Sequence, residues 1–244
     1  MGWQTALERD GVARIPSVFQ PSEVDRMRSA AYMALSHSRG GKNQLQVCRA
    51  AGYDSPGLLF WPVLASEYLN AVRCDPRLVD IVRQALGPDV KQINNQIYFR
   101  LPGDGDSFAW HQDHVFRKPD EDFPGIESGY LQTIIVVDEI TEHNAPVEYI
   151  PGSHKSVFSG NPDQRSPGLR AFKREGHQGI RLTAKPGDVV VWSVMIVHGS
   201  EPNRSAMARM TYMNGFAKAE CSRFNPVYLS GGKVVPQINI RAFK

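Results

Sequence analysis

The sequence predicts a mainly β protein, a double-stranded β-helix (jelly roll) with N-terminal helices packed on one outer face. Three observations support this prediction. Helical periodicity is confined to the part of the chain before Pro88, and after Pro88 the apolar residues alternate in short segments. Turns rich in Gly, Pro, Asn and Asp, such as residues 102–105 and 185–188, separate these segments.

Composition indicates one globular domain over residues 1–244, with 41% hydrophobic and 22% charged residues. The net charge of +3 is too small to indicate a nucleic-acid or membrane partner. The three cysteines, Cys48, Cys74 and Cys221, are odd in number and widely separated, so we expect no disulfide framework and a reducing, cytoplasmic location. The polar N-terminus carries no secretory signal, and the longest apolar run, 189–197, is too short to span a membrane.

Two helices are predicted in the first part of the chain. The first begins at Ser22, and its apolar residues recur at three- and four-residue steps: Val24, Met27, Ala31 and Leu35. The second begins at Asp75 with proline in its first position and ends at Gly87. Its buried stripe consists of Leu78, Val79, Val82 and Leu86.

Seven strands are predicted after the helices: 90–101, 108–111, 130–138, 147–150, 180–184, 188–197 and 208–216. The first of them has two distinct faces. One face is polar and comprises Asn94, Gln96, Tyr98 and Arg100, while the other is apolar and comprises Ile93, Ile97, Phe99 and Leu101. If the helices cover the apolar face, the polar face lines the interior of the barrel, which indicates a binding cavity.

A candidate metal site lies in the segment Trp110-His111-Gln112-Asp113-His114. His111 and Asp113 are two residues apart, so on a strand they point to the same face with Cα atoms about 6.6 Å apart. His198, at the end of the apolar run, is the best candidate for a second imidazole. Two histidines and one carboxylate form a facial triad with open coordination positions, which suits non-haem Fe(II).

Arg209 follows His198 by eleven residues, across a Gly-, Pro- and Asn-rich turn. A strand, a turn and an antiparallel return would bring the two residues close together. Arg209 would then place a guanidinium near the metal, where it suits a carboxylate.

In order and spacing, these segments resemble the phytanoyl-CoA dioxygenase-like family of Fe(II)/2-oxoglutarate oxygenases from about residue 7 to residue 216. The motifs that carry the resemblance are Asp10-Gly11-Val12, Leu101-Pro102-Gly103, Trp110-His111-Gln112-Asp113, Asn144-Ala145-Pro146, Pro151-Gly152-Ser153-His154, Pro186-Gly187-Asp188 with Trp192, and His198-Gly199-Ser200 with Asn203, Ser205 and Arg209. Two positions depart from the family pattern. Ala145 stands where glycine is usual, and Arg100 stands where lysine is usual.

The resemblance implies that His111, Asp113 and His198 hold iron. It further implies that Arg209 binds the far carboxylate of 2-oxoglutarate with help from Ser200, and that Gln96 lies on the cavity wall near this co-substrate. Dioxygen would be the second co-substrate. The implied reaction is oxidation of a small metabolite, with release of succinate and CO2. The cations of residues 160–178 would suit an anionic or polar substrate. Hydroxylation is the leading expectation, and desaturation, cyclisation and epimerisation stay open.

Two other functions stay open: a non-catalytic jelly-roll binding protein, and a metal-dependent hydrolase with zinc on the same ligands. Neither needs a carboxylate clamp beside the metal, so Arg209 favours the oxygenase. His154 is interpreted as part of a structural turn, and Trp110 and Trp192 as core or wall residues.

Two segments have alternative interpretations. The segment 160–178 is either a solvated loop or a substrate lid, and its cationic or titratable residues are Arg165, Arg170, Lys173, Arg174 and His177. The tail, residues 227–244, covers either the barrel or a partner subunit.

Overall fold

The computed structural model describes residues 2–39, 57–103, 107–117, 122–156 and 179–238. It contains two antiparallel β-sheets that pack against each other. The strands are β1 (Val12–Ile15), β2 (Leu58–Phe60), β3 (Val90–Arg100), β4 (Phe108–His111), β5 (Tyr130–Val136), β6 (Val147–Tyr149), β7 (Ile180–Arg181), β8 (Val189–Ser193), β9 (His198–Ser200), β10 (Arg209–Lys218), β11 (Val227–Ser230) and β12 (Lys233–Val234).

The larger sheet has the strand order β1-β8-β5-β10-β3-β11-β12, and β2 also pairs with β3. The smaller sheet has the order β4-β9-β6-β7. Most neighbouring strands in each sheet are distant in sequence, with the β11–β12 hairpin as an exception, as expected for a jelly roll rather than a simple meander. The mainly β double-stranded fold predicted from the sequence is therefore present. The described part of the tail adds β11 and β12 to the larger sheet, beside β3.

The helices are α1 (Trp3–Asp10), α2 (Pro21–Arg39), α3 (Glu67–Arg73), α4 (Pro76–Leu86) and α5 (Ile126–Gly129). Both predicted helices are present as α2 and α4, and α4 begins where the Asp75 carboxylate accepts a hydrogen bond from the Arg77 amide. The predicted number of helices before Pro88 was too low. The structure adds α1 and α3, which have eight and seven residues and are too short for a clear periodic signal.

The main hydrophobic core lies between the helices and the outer face of the larger sheet. Met27 of α2 and Leu78 of α4 are fully buried there with Ile97 and Phe99 of β3. This packing confirms that the helices cover the apolar face of β3. A second cluster, which includes Val12, Ile134, Val190 and Trp192, fills part of the space between the two sheets.

Ile93 departs from the predicted face of β3. Asn94 pairs with Gly215 of β10, but Gln92 pairs with Phe216, so Ile93 is an extra residue in a β-bulge. The bulge shifts the alternation, and Ile93 packs with Tyr130 rather than under the helices.

The predicted strand 188–197 is two strands. β8 ends at Ser193, the chain turns so that the Ile196 amide donates to the Ser193 carbonyl, and β9 begins at His198 in the other sheet. Apart from Ser193, residues 189–197 are apolar because the turn is buried as well as the strand before it. Among the other predicted strands, β5 ends at Val136 and β7 at Arg181, both earlier than expected, and β10 continues to Lys218. Strands β1, β2, β11 and β12 were not predicted.

Within the described residues, none of the helices combines the length and apolar character that a membrane crossing requires.

Candidate metal centre

His111, Asp113 and His198 lie together between the two sheets. His111 and His198 are register partners on β4 and β9. Their Nε2 atoms lie 3.5 Å and 3.8 Å from the same Asp113 oxygen, Oδ1. One ligand atom from each residue lies within 4.8 Å of the others. Two imidazoles and a carboxylate at this spacing can converge on one divalent cation.

Asp113 is not on the strand that carries His111, contrary to the sequence prediction. β4 ends at His111, and Asp113 begins a short 3-10 helix over Asp113–Phe116. Gln112 between them keeps extended backbone angles, φ −110° and ψ 135°, so the two ligands still face one way. The Gln112 side chain donates to the carbonyls of Met195 and Ser156, which fixes the backbone between the two residues.

The His198 ring is held in one tautomer. Its Nδ1 lies 2.9 Å from the Ile196 carbonyl, which can only accept, so Nδ1 carries the proton and Nε2 has a free lone pair. Burial and the neighbouring His111 lower the pKa of His198 to about 4. The ring is therefore neutral at physiological pH and available to a metal.

Asp113 is ionised and held by two donors on the larger sheet. Burial by itself would raise the pKa of Asp113, but in acid, where His198 is protonated, the charge of His198 and a hydrogen bond from His111 lower it well below the ordinary value. Gln132 Nε2 and Trp192 Nε1 donate to Oδ2 at 3.4 Å and 3.3 Å. Oδ1 is thus the oxygen that faces the histidines.

A cavity of about 350 Å³ adjoins these three residues. Gln96 and Tyr98 of β3 line it, as the sequence predicted for the polar face of that strand, and so does Asn94. Arg100, the fourth residue of the predicted polar face, is not among the described residues that line the cavity. It is buried, donates to the Glu201 carbonyl at 2.9 Å and lies over the Phe108 ring.

The residues expected to bind the co-substrate also line the cavity. Arg209 is 3% exposed and begins β10, and Ser200 ends β9. The cavity therefore presents a buried guanidinium and a hydroxyl in addition to the His-Asp-His group. Thr211, which the sequence analysis did not select, lines the same wall two residues after Arg209.

The residues interpreted as structural also have defined places. Gly152 has φ 77° and Ser153 Oγ accepts from the Val197 amide, so the segment with His154 forms a turn that supports the chain before β9. Trp192 is a wall residue, but it also donates to Asp113, a contact that the sequence analysis missed. The proposed lid, residues 160–178, lies outside the described residues.

Gln132 is the other contact that sequence reasoning missed. It lies with Thr133 in the otherwise apolar and fully buried strand β5, and a buried amide in such a run was the available signal. Its register partner on β8 is Trp192, so one cross-strand pair supplies both donors to Asp113.

Comparison with known proteins identifies the family. Residues 7–211 match the family model described as phytanoyl-CoA dioxygenase (PhyH). The chain belongs to the PhyH family. This match covers almost the same residues as the resemblance found in the sequence, and the predicted Fe(II)/2-oxoglutarate-dependent dioxygenase is confirmed at the level of the family.

PhyH-family relatives include enzymes that act on different small molecules. A probable alpha-ketoglutarate-dependent hypophosphite dioxygenase of Stutzerimonas stutzeri is 29% identical over 65% of this chain, and the match spans 56% of that relative's length. An ectoine dioxygenase of Sphingopyxis alaskensis is 24% identical over 84% of this chain and 71% of its own length.

The structural neighbours share the PhyH-type fold. The crystal structure of EctD from S. alaskensis with 2-oxoglutarate and 5-hydroxyectoine has a TM-score of 0.78 at 23% identity, and covers 96% of this chain and 79% of its own. The 2-oxoglutarate-dependent epimerase SnoN from nogalamycin biosynthesis has a TM-score of 0.69 at 15% identity, and covers 89% and 81%. At these identities the similarity shows the fold alone.

Proposed function

We propose that this protein is an Fe(II)- and 2-oxoglutarate-dependent oxygenase that hydroxylates a small polar molecule, with His111, Asp113 and His198 as the iron ligands. The observation that carries the proposal is the approach of both histidine Nε2 atoms to Asp113 Oδ1. Two imidazole nitrogens and one carboxylate fit Fe(II) and leave positions for a co-substrate and dioxygen. When bound, the iron would supply oxidation of a C–H bond coupled to conversion of 2-oxoglutarate into succinate and CO2.

The protein's own contribution at the metal is orientation. Asp113 is ionised and contributes one negative charge, and the hydrogen bonds from Gln132 and Trp192 keep one carboxylate oxygen directed to the histidines. The Ile196 carbonyl fixes the His198 ring. Because of these contacts, the three side chains are already oriented for a metal ion and need not reorganise when it binds.

We assign the far carboxylate of 2-oxoglutarate to Arg209, with Ser200 as a second donor and Gln96 on the adjacent wall. A guanidinium presents two parallel N–H donors to a carboxylate, and burial strengthens that interaction. Arg209 is 3% exposed and lines the cavity that also holds the His-Asp-His group. Neither a hydrolase nor a simple binding protein requires this cation, so Arg209 favours the oxygenase.

The substrate is proposed to be small because the cavity volume of about 350 Å³ is at the lower end of ligand sites. The walls present both polar groups, among them Asn94 and Gln96, and apolar groups, among them Ile134, Ile140 and Leu182. This mixture suits a compact polar metabolite.

We further propose that residues 1–244 form one domain and that the protein is cytoplasmic. In support of one domain, α2 and α4 pack on the larger sheet, and β11 joins that sheet from the C-terminal part of the chain. In support of the cytoplasm, Cys74 and Cys221 are free thiols.

Succinate formation tests the function directly. The iron-loaded protein is exposed to air with 2-oxoglutarate and, in separate reactions, ectoine, L-proline, hypophosphite and a metabolite extract. We expect succinate above the background of the His111→Ala variant, and a metabolite that gains one oxygen by mass spectrometry. A surface variant, Gln84→Leu on α4, serves as the matched control. Succinate at the His111→Ala level in every reaction would favour the hydrolase or the binding protein.

A further inference from the structure

Three residues form a row across the cavity wall: Asn94 on β3, Gly215 on β10 and Gln132 on β5. Gly215 pairs with Asn94 on one side and with Gln132 on the other. Because Gly215 has no side chain, both amides lean over its backbone. A Cβ atom at Gly215 would lie 2.5 Å from Asn94 Oδ1, 2.8 Å from Gln132 Oε1 and 2.7 Å from Tyr130 Oη. Three oxygens therefore converge above this glycine.

Each amide makes a second hydrogen bond through its nitrogen atom. Gln132 Nε2 donates to Asp113 Oδ2 at 3.4 Å, an oxygen that also accepts from the Trp192 indole, and Gln132 Oε1 is directed over Gly215. Asn94 Nδ2 donates to Tyr130 Oη at 3.2 Å, and Asn94 Oδ1 is directed to the same place. Two acceptor atoms thus point at one region of the cavity.

Neither of these oxygens has a hydrogen-bond partner among the described residues. Asn94 is 6% exposed and Gln132 is 3% exposed. A buried carbonyl oxygen without a donor costs about 1–3 kcal/mol, and buried polar atoms in native proteins almost always have a partner. Both residues line the cavity, so a donor from a molecule bound in that cavity can reach them.

The co-substrate is a poor match for this position. 2-Oxoglutarate carries two carboxylates and a keto group, which are all acceptors, as are the two amide oxygens. The proposed anchor for its carboxylate, Arg209, pairs with Arg100. Arg100 lies six residues along β3 from Asn94, a distance of about 20 Å between backbone positions. The acceptor pair therefore faces the other molecule in the cavity, the substrate.

We propose that Asn94 and Gln132 form an acceptor subsite above Gly215 that binds an N–H group of the substrate, in an ammonium, amidinium or amide. The assignment rests on the proposed function and deepens it, because it names the class of substrate. The subsite holds the substrate nitrogen on the Asp113 side of the metal centre, since Gln132 contacts that carboxylate. Gly215 is required because any larger side chain would occupy the subsite.

Binding to matched pairs of ligands tests the subsite. The protein is loaded with Ni(II) and 2-oxoglutarate, which gives a complex for calorimetry without turnover. Each pair of probes differs only at one position, with N–H replaced by oxygen: L-proline and tetrahydrofuran-2-carboxylate, and 2-pyrrolidinone and γ-butyrolactone. We expect the N–H member of the pairs to bind at least tenfold more tightly than its oxygen analogue.

Three variants connect that preference to the row of residues. Asn94→Leu removes one acceptor and should reduce the preference several-fold. Asn94→Asp keeps the shape and adds a charge, so it should strengthen binding of cationic N–H probes relative to neutral ones. Gly215→Ala should weaken the binding of N–H probes more than the binding of their oxygen analogues. Circular dichroism establishes that each variant is folded. Gln84→Leu, on the surface, should leave the preference intact.

Several results would overturn the subsite. The proposal fails if none of the N–H probes binds, or if the two members of each pair bind with equal affinity. It also fails if the Asn94→Leu variant keeps the full preference for N–H probes. A crystal structure of a substrate complex in which only water bridges Asn94 and Gln132 would also overturn it. The succinate assay separates this failure from failure of the proposed function, because the metabolite extract in that assay supplies a substrate whether or not any of these probes binds.

Discussion

Trp192 donates its indole N–H to Asp113 Oδ2 across 3.3 Å, although the two residues are 79 positions apart in the chain. The indole lies on β8 of the larger sheet, and the carboxylate follows β4 of the smaller sheet. This hydrogen bond links the sheets at the candidate metal centre. Gln132 binds the same oxygen, so Oδ1 alone is directed to His111 and His198.

Trp192→Phe is expected to weaken metal binding while the protein stays folded. Phenylalanine preserves most of the packing but cannot donate, so Asp113 is held by Gln132 alone. Loss of a hydrogen bond to a metal ligand typically lowers affinity about 10- to 100-fold. A competition titration of Fe(II) against a chelator measures this change, and Trp3→Phe on α1 is the matched control. An unchanged affinity in Trp192→Phe would exclude a positioning role for the indole.

Arg209 is expected to govern affinity for 2-oxoglutarate. Arg209→Lys keeps the charge but loses the two parallel donors, so we expect the Kd for 2-oxoglutarate to rise about tenfold, and further in Arg209→Met. Ser200→Ala should raise it only a few-fold, since one neutral hydrogen bond is lost. Calorimetry on the metal-loaded protein measures these values, with Arg83→Lys on α4 as the control. Equal affinity in wild type and Arg209→Met would contradict the assignment.

The ion pair between Glu23 and Arg77 should stabilise the contact between α2 and α4 in a pH-dependent way. Arg77 donates to both Glu23 oxygens at 2.6 Å and 3.0 Å. These hydrogen bonds, with one from the Gln20 amide, lower the pKa of Glu23 to about 2. The stabilisation is complete above the unfolded value of about 4.5 and is lost as the pH falls through about 2.

Glu23→Gln should therefore reduce the free energy of unfolding by about 1 kcal/mol at pH 7, because both side chains are partly exposed and the pair is screened by solvent. Urea unfolding at several pH values should show the difference from wild type disappearing near pH 2. The surface pair of Asp80 and Arg83 provides the control variant, Asp80→Asn, with a smaller effect. A difference that is independent of pH would contradict the ion-pair explanation.

Ala145 has φ 61°, the left-handed region that glycine adopts most easily, and it is 3% exposed. This explains why glycine is usual at this position in proteins that share the motif. Ala145→Gly should change the free energy of unfolding little. Release of backbone strain in the folded state offsets the loss of a buried methyl group and the added entropy of the unfolded chain. Ala145→Val should destabilise by about 2 kcal/mol or more, because a β-branched side chain fits this φ poorly. Thermal unfolding distinguishes the two, and equal stabilities would contradict the explanation.

Much of the site could be predicted from local spacing. His111 and Asp113 are close in sequence, and a motif of fixed order indicated His198 and Arg209. Residues that depend on the pairing of distant strands could not be found in this way. Gln132 acts on Asp113 only because it pairs with Trp192, and Gly215 matters only because it lies between Asn94 and Gln132.

The same limit applies to the fold. The sequence predicted the correct face of β3 for Ile97 and Phe99, where the strand is regular. It was wrong at Ile93, because the bulge opposite Gly215 and Phe216 is a property of two strands together. The run from 189 to 197 contains one polar residue, Ser193, at the end of β8, and the turn that follows is as apolar and buried as the strand before it.

Anaerobic binding of Fe(II), followed by calorimetry and by metal analysis of the dialysed protein, tests the central claim most directly. The account predicts one Fe(II) per chain in the wild type, loss of tight binding in Asp113→Ala and His198→Ala, and retention of iron in Arg209→Met with impaired binding of 2-oxoglutarate. Wild-type affinity for iron in both Asp113→Ala and His198→Ala would contradict it.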